Sequence, residues 1–400
     1  MHPSQLSISD YTYDLPASRI AGYPLPERDA SRLLVWENGQ LSETVYRSLP
    51  DYLDAGSLVV FNNSRVIEAR LLFYKESGAR IEIFCLEPHN QYPDLQVAMQ
   101  QKGSVLWCCM VGGASKWKRG SILEKRLEVN GRVLILQALF SDRRSSDTVI
   151  ELTWNDEEMS FAELLHHAGD MPLPPYIKRK AETLDQQRYQ TIYADQSGSV
   201  AAPTAGLHFT DAVFEKLQER NISTAYLTLH VGAGTFKPVS SDQMSGHDMH
   251  SELIDVKRDT ILQLIEHFPK GITAVGTTSL RTLESLYWFG LQVIAERIGD
   301  GLPVLDQWEP YEVDARTSAT ESLSALVKWM DENGKTSFVA KTRILVAPGY
   351  RLRVIRALVT NFHQPKSTLL LLIAAIMGDD WKRMYQYAMD NGFRFLVCAR

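Results

Sequence analysis

Apolar and polar positions change rhythm along this chain. From about residue 70 to 155 the apolar residues fall in short runs: ARIEIFCLE, SVLWCCMV, ILEKRLEV, RVLILQALF and TVIELTW. Turn signals VGGAS, KRGS and VNGR separate them, and no amphipathic helix is legible among them. Runs of this length and spacing predict an antiparallel all-β module. On either side the rhythm is different. SLVVFNNSRVIEARL reads as a strand, a polar turn at Asn62 to Arg65 and a second strand. MSFAELLHHAG has helical spacing and a closing Gly169, whereas the prolines of MPLPPYIKRK exclude a helix. Beyond it the pattern alternates. DAVFEKLQER predicts a helix and NISTAYLTLHV a strand, with Ala225, Leu227, Leu229 and Val231 on one face and Tyr226, Thr228 and His230 on the other. RDTILQLIEHF, GITAVGTT, LRTLESLYWF, LRVIRALVTNF and STLLLLIAAI continue as helix, strand, helix, strand and helix. Alternation of this kind predicts parallel strands joined by crossover helices.

The expected fold is therefore mixed α/β. Residues 1–69 and 156–400 form a larger α/β catalytic domain, and residues 70–155 an inserted antiparallel, barrel-like all-β domain. Residues 299–340 give no clear pattern.

Four polar loops sit in the α/β half: AAPTAGLHFT (201–210), LHVGAGTF (229–236), AVGTTSLRTLES (274–285) and VTNFHQPKST (359–368). Ligands of open α/β sheets lie beyond the carboxyl ends of the strands, where such loops gather. There they would pool His208, His230, Thr204, Thr235, Thr277, Thr278, Arg281, Asn361, His363 and Lys366. Glycines 206, 232, 234 and 276 would let backbone approach a ligand. AAPTAGLHFT carries a single titratable group, His208, suited to proton transfer among backbone donors and small hydroxyls. Each residue also has a structural reading. A histidine can be a satisfied core residue, glycine can simply turn the chain, and Thr277, Thr278, Ser279, Ser367 and Thr368 can cap helices.

Two motifs lead elsewhere and fail. Lys366-Ser367-Thr368 opens an apolar helix like the end of a phosphate loop, but TNFHQP precedes it where the glycines belong. HDMHSELIDV offers His247, His250 and Glu252, yet the spacing is not HExxH and no fourth metal ligand is in view. Substrate positioning or proton transfer by His250 and Glu252 is the better reading, and no metal is expected.

Composition narrows the partners. Charged residues are 22% and apolar residues 44% of the chain, the balance of an ordinary globular protein, and the formal net charge is −6. A polyanion would have to meet a local basic patch. Lys116, Lys118 and Arg119 in KWKRG, and Lys178 and Arg179 in PPYIKRK, each lie near an aromatic residue, which suits stacking on single-stranded nucleic acid. Arg351, Arg353 and Arg356 form a third group along one expected strand. Cys85, Cys108, Cys109 and Cys398 have neither a CxxC nor a zinc spacing and read as buried thiols of a reducing compartment. The N-terminus lacks a signal-peptide core, and the apolar run Leu369 to Met377 is too short to span a bilayer, so a cytoplasmic protein is expected.

The motifs together resemble one family, the S-adenosylmethionine:tRNA ribosyltransferase-isomerases of queuosine biosynthesis. The resemblance runs from residue 10 to about 396, through YDLPASRIAGYPLPERDASRLLV, NNSRVIEARL, PLPPYIKR, RYQTIYA, SVAAPTAGLHFT, LHVGAGTFKPV, HDMHSE, AVGTTSLRTLES, APGY and TNFHQPKSTLL. It implies an α/β domain with an inserted all-β domain. It also implies transfer and isomerisation of the ribosyl group of S-adenosylmethionine onto 7-aminomethyl-7-deazaguanine at the tRNA wobble position. The product is epoxyqueuosine, and adenine and methionine leave. S-adenosylmethionine would be a co-substrate with no permanently bound cofactor, tRNA the partner, no membrane would be involved, and a monomer is expected. On this reading His208, His230, His250, Glu252 and His363 supply the acid and base. Thr204, Gly206, Gly232, Gly234, Thr235, Thr277, Thr278 and Asn361 hold the donor, with Arg281 on its carboxylate. Lys178, Arg179, Lys366, Lys116, Lys118 and Arg119 meet the tRNA, whose wobble base must be splayed out. A non-catalytic RNA-binding homologue and an S-adenosylmethionine enzyme acting on a free small molecule are the alternatives. The chain departs from the family after Leu396, where relatives continue with Ser-Tyr-Gly-Asp and this sequence reads Val397-Cys398-Ala399-Arg400. Loose packing of residues 397–400 is expected, with a family-type tail adding stability or turnover.

Overall fold

The computed structural model describes residues 2–92, 95–143, 147–174, 176, 177, 179, 182–232, 239, 241–299 and 301–396. Lys178, Gly234, Thr235 and residues 397–400, all named above, lie outside the described residues. The chain divides into two compact units. One comprises residues 1–65, 188–196 and 202–400, the other residues 66–187 and 197–201.

The larger unit is built on a seven-stranded mixed sheet. Its strand order is Val304–Leu305, Ser337–Thr342, Glu252–Lys257, Ser223–His230, Leu58–Asn62, Ile272–Val275 and Ala357–Val359. The last four named run parallel, as the alternating pattern predicts. Glu252–Lys257 is antiparallel to both its neighbours. The reversal matters for the site. It brings the start of that strand, at Glu252, to the edge where the parallel strands end.

Helices Asp211–Glu219, Arg258–His267, Thr277–Ile294, Ala319–Glu332 and Thr368–Met377 supply crossovers and cover. Thr277–Ile294 is buried along most of its length, its polar residues Ser279, Arg281, Thr282, Glu284 and Ser285 included. The strand Leu58–Asn62 is buried at every position, and each fully buried Leu, Val or Phe of this kind contributes roughly 1.5–3 kcal/mol. The region 299–340, illegible in sequence, contains the helix Ala319–Glu332 and the strand Ser337–Thr342. LRVIRALVTNF forms only the short strand Ala357–Val359. Its preceding residues are held instead by Glu284, a buried carboxylate that accepts the N–H groups of Arg353, Val354 and Ile355 at 2.8, 3.0 and 3.1 Å.

The smaller unit is an antiparallel sheet of seven strands, in the order Gly169–Asp170, Arg70–Tyr74, Arg80–Pro88, Ser104–Gly112, Thr148–Trp154, Arg132–Arg143 and Ile122–Val129. It curls, because Arg70–Tyr74 also packs against Ile122–Val129. The expected turn in VNGR is present, with Asn130 at φ 51° and Gly131 at φ 75°, the left-handed pair that a tight hairpin requires. A short helix, Leu95–Met99, lies where the sequence offered none. The unit also runs on past residue 155. The helix Phe161–Ala168, closed at its start by a capping box between Ser160 and Glu163, buries Phe161, Leu164 and Leu165. Phe161 packs on Trp107, with ring centroids 4.7 Å apart, so this helix belongs with the β strands. Cys85, Cys108 and Cys109 are free and buried. Among the described residues no helix is long and apolar enough to cross a membrane.

Candidate active site

The loop AAPTAGLHFT is uncharged because most of it is buried. Ala205 and Phe209 join the core cluster of Tyr46, Val59, Phe61, Val213 and Val275. Backbone groups buried this way need partners, and they have them. Tyr46 O–H donates to the Ala205 carbonyl at 3.1 Å, and Arg28 Nη1–H to the Leu207 carbonyl at 3.3 Å. Gly206 is required for packing. A methyl there would stand 1.8 Å from the Tyr193 hydroxyl. Gly206→Ala is therefore expected to cost about 1–3 kcal/mol by overpacking, read by chemical denaturation; unchanged stability would refute this account. Gly232 has no crowding of that kind.

His208 ends this turn, 5% exposed, its ring 4.8 Å from that of Tyr46. Nδ1 lies 3.4 Å from the Arg28 carbonyl. A carbonyl only accepts, so Nδ1 carries the hydrogen and the lone pair of the neutral ring is on Nε2. Burial pushes the imidazole down to about 4; hydrogen bonds to the Arg28 carbonyl and the Asn361 side chain oppose this, and the Arg28 charge adds to it. The contact with Asn361 joins two of the four loops.

The other loops converge on the same sheet edge. Gly276 N–H donates to the Val359 carbonyl at 2.8 Å. The helix that follows has Gly276 as its N-cap and no side-chain cap, so Thr277 and Thr278 are not cappers. The Thr278 hydroxyl is buried with no partner among the described residues. Ser367, by contrast, does cap the helix Thr368–Met377, accepting from Leu370 N–H at 3.2 Å. His363 is pinned through its backbone: Tyr13 O–H donates to its carbonyl at 2.5 Å and its N–H donates to the Tyr385 hydroxyl at 3.0 Å. Its Nε2 is 3.0 Å from Thr360 Oγ1, and burial pushes its pKa down to about 4. His230 closes its strand, opposite Leu253. Burial lowers it to about 4 as well, and its Nδ1 has no partner among the described residues. His250 is exposed and Thr204 partly buried.

Arg281 and Glu252 form a buried ion pair with each other, 8% and 5% exposed. Arg281 Nε–H also donates to the Ile344 carbonyl at 3.2 Å. Glu252 thus takes one terminal nitrogen, Nη1, of the two that the expected two-pronged grip on a substrate carboxylate would use. What remains is Nη2, buried with no partner among the described residues.

The expected tRNA contacts divide. Lys116, Lys118 and Lys366 are exposed. Arg119 is exposed and near Asp142 at 3.2 Å, a surface pair that holds it weakly. Arg179 is different: its two terminal nitrogens grip Asp185 at 2.6 and 2.7 Å, and Asp185 is 5% exposed. Trp117 is not available for stacking on bases. It is 3% exposed, packs on Phe140 and donates from Nε1–H to the Ser121 carbonyl at 3.1 Å. Arg353 and Arg356 do not line one strand either, since Arg353 donates to the Ala315 carbonyl at 3.2 Å and both precede Ala357–Val359.

Several residues here were not singled out from sequence. Arg28 and Tyr46 hold the His208 turn, Tyr13 and Tyr385 hold His363, and Glu284 anchors the approach to Asn361. Glu284 had a signal, being a carboxylate inside the apolar helix LRTLESLYWF. The tyrosines had none, because their partners are distant backbone groups. No group of three or more His, Cys, Asp or Glu among the described residues is placed to hold a metal ion.

Known proteins similar to this chain agree with one another. A family model described as queuosine biosynthesis protein matches residues 8–397. The S-adenosylmethionine:tRNA ribosyltransferase-isomerase of Magnetococcus marinus is 35% identical over 97% of this chain and 91% of its own. Proteins of the same name from Halothermothrix orenii and Azoarcus sp. are each 36% identical, over 98% of this chain and 97% and 95% of their own. A crystal structure of S-adenosylmethionine tRNA ribosyltransferase from Thermotoga maritima is 27% identical, with a TM-score of 0.45 and 97% of each chain covered. With the family match running nearly end to end, and relatives sharing more than a third of their residues over almost the same length, this chain belongs to the queuosine biosynthesis protein family.

Proposed function

We propose that this chain transfers and isomerises the ribosyl group of S-adenosylmethionine onto 7-aminomethyl-7-deazaguanine in tRNA, giving epoxyqueuosine and releasing adenine and methionine. Besides the family, one observation carries the reading. Loops 204–208, 276–281 and 361–363 meet at the carboxyl edge of the parallel strands, together with His230 and Glu252, where α/β sheets bind ligands. S-adenosylmethionine enters as co-substrate with no resident cofactor, and a tRNA substrate implies the cytoplasm.

The sulfonium acidifies the adjacent 5′ carbon, so a neutral base can remove a proton there. His208, His230 and His363 are all lowered to about 4 and are neutral at pH 7. Glu252 is engaged by Arg281, so the base is assigned to an imidazole, His208 first because hydrogen bonds to the Arg28 carbonyl and the Asn361 side chain hold its ring where two of the loops meet. The imidazolium that forms when the base takes the 5′ proton has a low pKa and can pass that same proton on to departing adenine. Thr277, Thr278, Asn361 and the unpartnered Arg281 Nη2 are assigned to donor groups, with Gly232, Gly234, Thr235 and Thr204 around them.

The test is incubation with S-adenosylmethionine and tRNA carrying the 7-aminomethyl base, followed by mass spectrometry. Adenine and methionine are expected in equal amounts with modified tRNA. Methyl transfer without adenine release would overturn the reading, and turnover without tRNA would favour a small-molecule substrate.

The tRNA contacts are assigned to Lys366, Lys116, Lys118 and Arg119, with Lys178. Lys366 holds a left-handed backbone, φ 56°, and donates its N–H to the Tyr11 carbonyl at 2.8 Å. Such strain in a non-glycine residue favours a role at a site. Lys366→Ala is expected to reduce the slope of log affinity against log salt by about 0.7–0.9, one phosphate contact. Arg179→Ala is expected to leave that slope unchanged, because its charge is already matched by Asp185. Binding measured across a salt series decides both.

A further inference from the structure

His250 and Glu252 are approached by residues 247–251, which belong to no helix or strand. A short turn precedes them, Met244–Gly246, tied to the N-terminal segment by Met244 N–H donating to the Leu6 carbonyl at 3.0 Å. Past that tie, side chains hold the segment in place. Gln307 is 4% exposed. Its Nε2–H donates to the His247 carbonyl at 2.9 Å, and its Oε1 accepts the Met249 N–H at 2.8 Å. A residue of a parallel strand holds its neighbour in the same way, gripping the carbonyl and the N–H of residues two apart. One side-chain amide therefore substitutes for a missing strand. Arg343 completes the hold, its Nε–H donating to the Met249 carbonyl at 3.2 Å. Arg343 follows directly on the strand Ser337–Thr342, and its own N–H donates to the Leu305 carbonyl at 2.9 Å. The hold is thus mounted on the edge strand Val304–Leu305 and its neighbour Ser337–Thr342.

Asn62 uses a related device one strand away, gripping both backbone groups of a single residue. Its Nδ2–H donates to the Leu229 carbonyl and its Oδ1 accepts the Leu229 N–H, both at 3.0 Å, directly before His230. Two buried amides thus stand against the backbone beside two histidines of the same sheet edge. A carboxylate or an apolar residue could not fill either place, because each needs one donor and one acceptor.

We propose that Gln307 is a positioning residue for His250, setting where that imidazole meets the reacting groups through the backbone of residues 247–249. This rests on the reading, implied by the family resemblance, that His250 is one of the groups supplying the acid and base of the ribosyl transfer. Neither sequence motif nor charge marks Gln307, since it lies outside every loop that carries the family resemblance.

The test uses the full chain with S-adenosylmethionine and 7-aminomethyl-tRNA. Gln307→Glu keeps the shape and the acceptor but sets a carboxylate oxygen against the His247 carbonyl. Gln307→Met keeps the bulk and loses both bonds. Both are expected to lower kcat for adenine release by about 10²-fold, the order of loss for a misplaced reacting group, and to leave KM for both substrates unchanged. Thermal melting identifies a variant that fails to fold, and the other then carries the comparison. The deciding measurement is Gln307→Met in a His250→Ala background. If Gln307 acts through His250, the second change adds no further loss. A full additional loss there, or wild-type kcat in the folded single variants beside an impaired His250→Ala, would overturn the proposal while leaving the reading of His250 intact. Wild-type turnover of His250→Ala itself would remove that reading and the proposal together.

Discussion

Arg281→Met is expected to be among the most destabilising single changes in the larger unit. Its guanidinium is 8% exposed and pairs with Glu252, itself 5% exposed. Removing one partner leaves a carboxylate buried without its countercharge, which typically costs about 3–5 kcal/mol. The Ile344 carbonyl also loses its donor. Glu252→Gln is expected to cost less, because a neutral amide still accepts a hydrogen bond and leaves Arg281 the Ile344 carbonyl. Replacing both residues with apolar side chains of similar volume is expected to recover much of the loss, since well-packed apolar residues often match a buried ion pair. Denaturant titration of the three variants decides this. If Arg281→Met and Glu252→Gln prove equally mild, the pair is not the buried tie described here. Activity gives a separate measure: the apolar double variant restores stability without restoring Arg281 Nη2, so turnover that recovers with stability would remove Arg281 from donor binding.

The parallel core of the sheet was legible because its signal is local. Alternation in NISTAYLTLHV and apolar runs ending in polar loops are properties of short windows, and the three strand ends they mark do lie on one edge. Strand direction is not local. Nothing in SELIDVK says that it runs against its neighbours, and that reversal is what brings Glu252 to Arg281. The extent of the β unit is not local either: helix Phe161–Ala168 has ordinary amphipathic spacing, and only the partner of Phe161, Trp107, tells which strands it packs with. Charge was the least reliable guide. Arg179 looked available in sequence and is committed to Asp185, and Trp117 looked like a stacking platform and is in the core. Loop composition misled in an instructive way. AAPTAGLHFT is free of charge because Ala205, Leu207 and Phe209 are packed inside, and His208 is exceptional within it for the same reason.

That exception sets the expectation for His208. The ring is buried against Tyr46, so His208→Ala leaves a hole, and part of any loss would be structural. His208→Gln is the cleaner variant, since its amide can still donate to the Arg28 carbonyl while offering no basic nitrogen. It is expected to lower turnover by about 10²–10⁴-fold if His208 is the base, with KM for S-adenosylmethionine and tRNA little changed. The pH dependence gives the sign. The folded pKa of about 4 lies below the ordinary value of 6.5. A base of this kind works while deprotonated, so its contribution is present above pH 4 and lost as pH falls through 4. Stability follows the same direction. Between pH 6.5 and 4 the unfolded chain takes up the proton and the folded one does not, so stability falls on acidification through that window. His208→Gln is expected to remove its share of this fall as well as the acid limb of the rate profile. Near wild-type turnover in His208→Gln, with the acid limb still in place, would return His208 to a core histidine whose hydrogen bonds to Arg28 and Asn361 serve only to hold the loop.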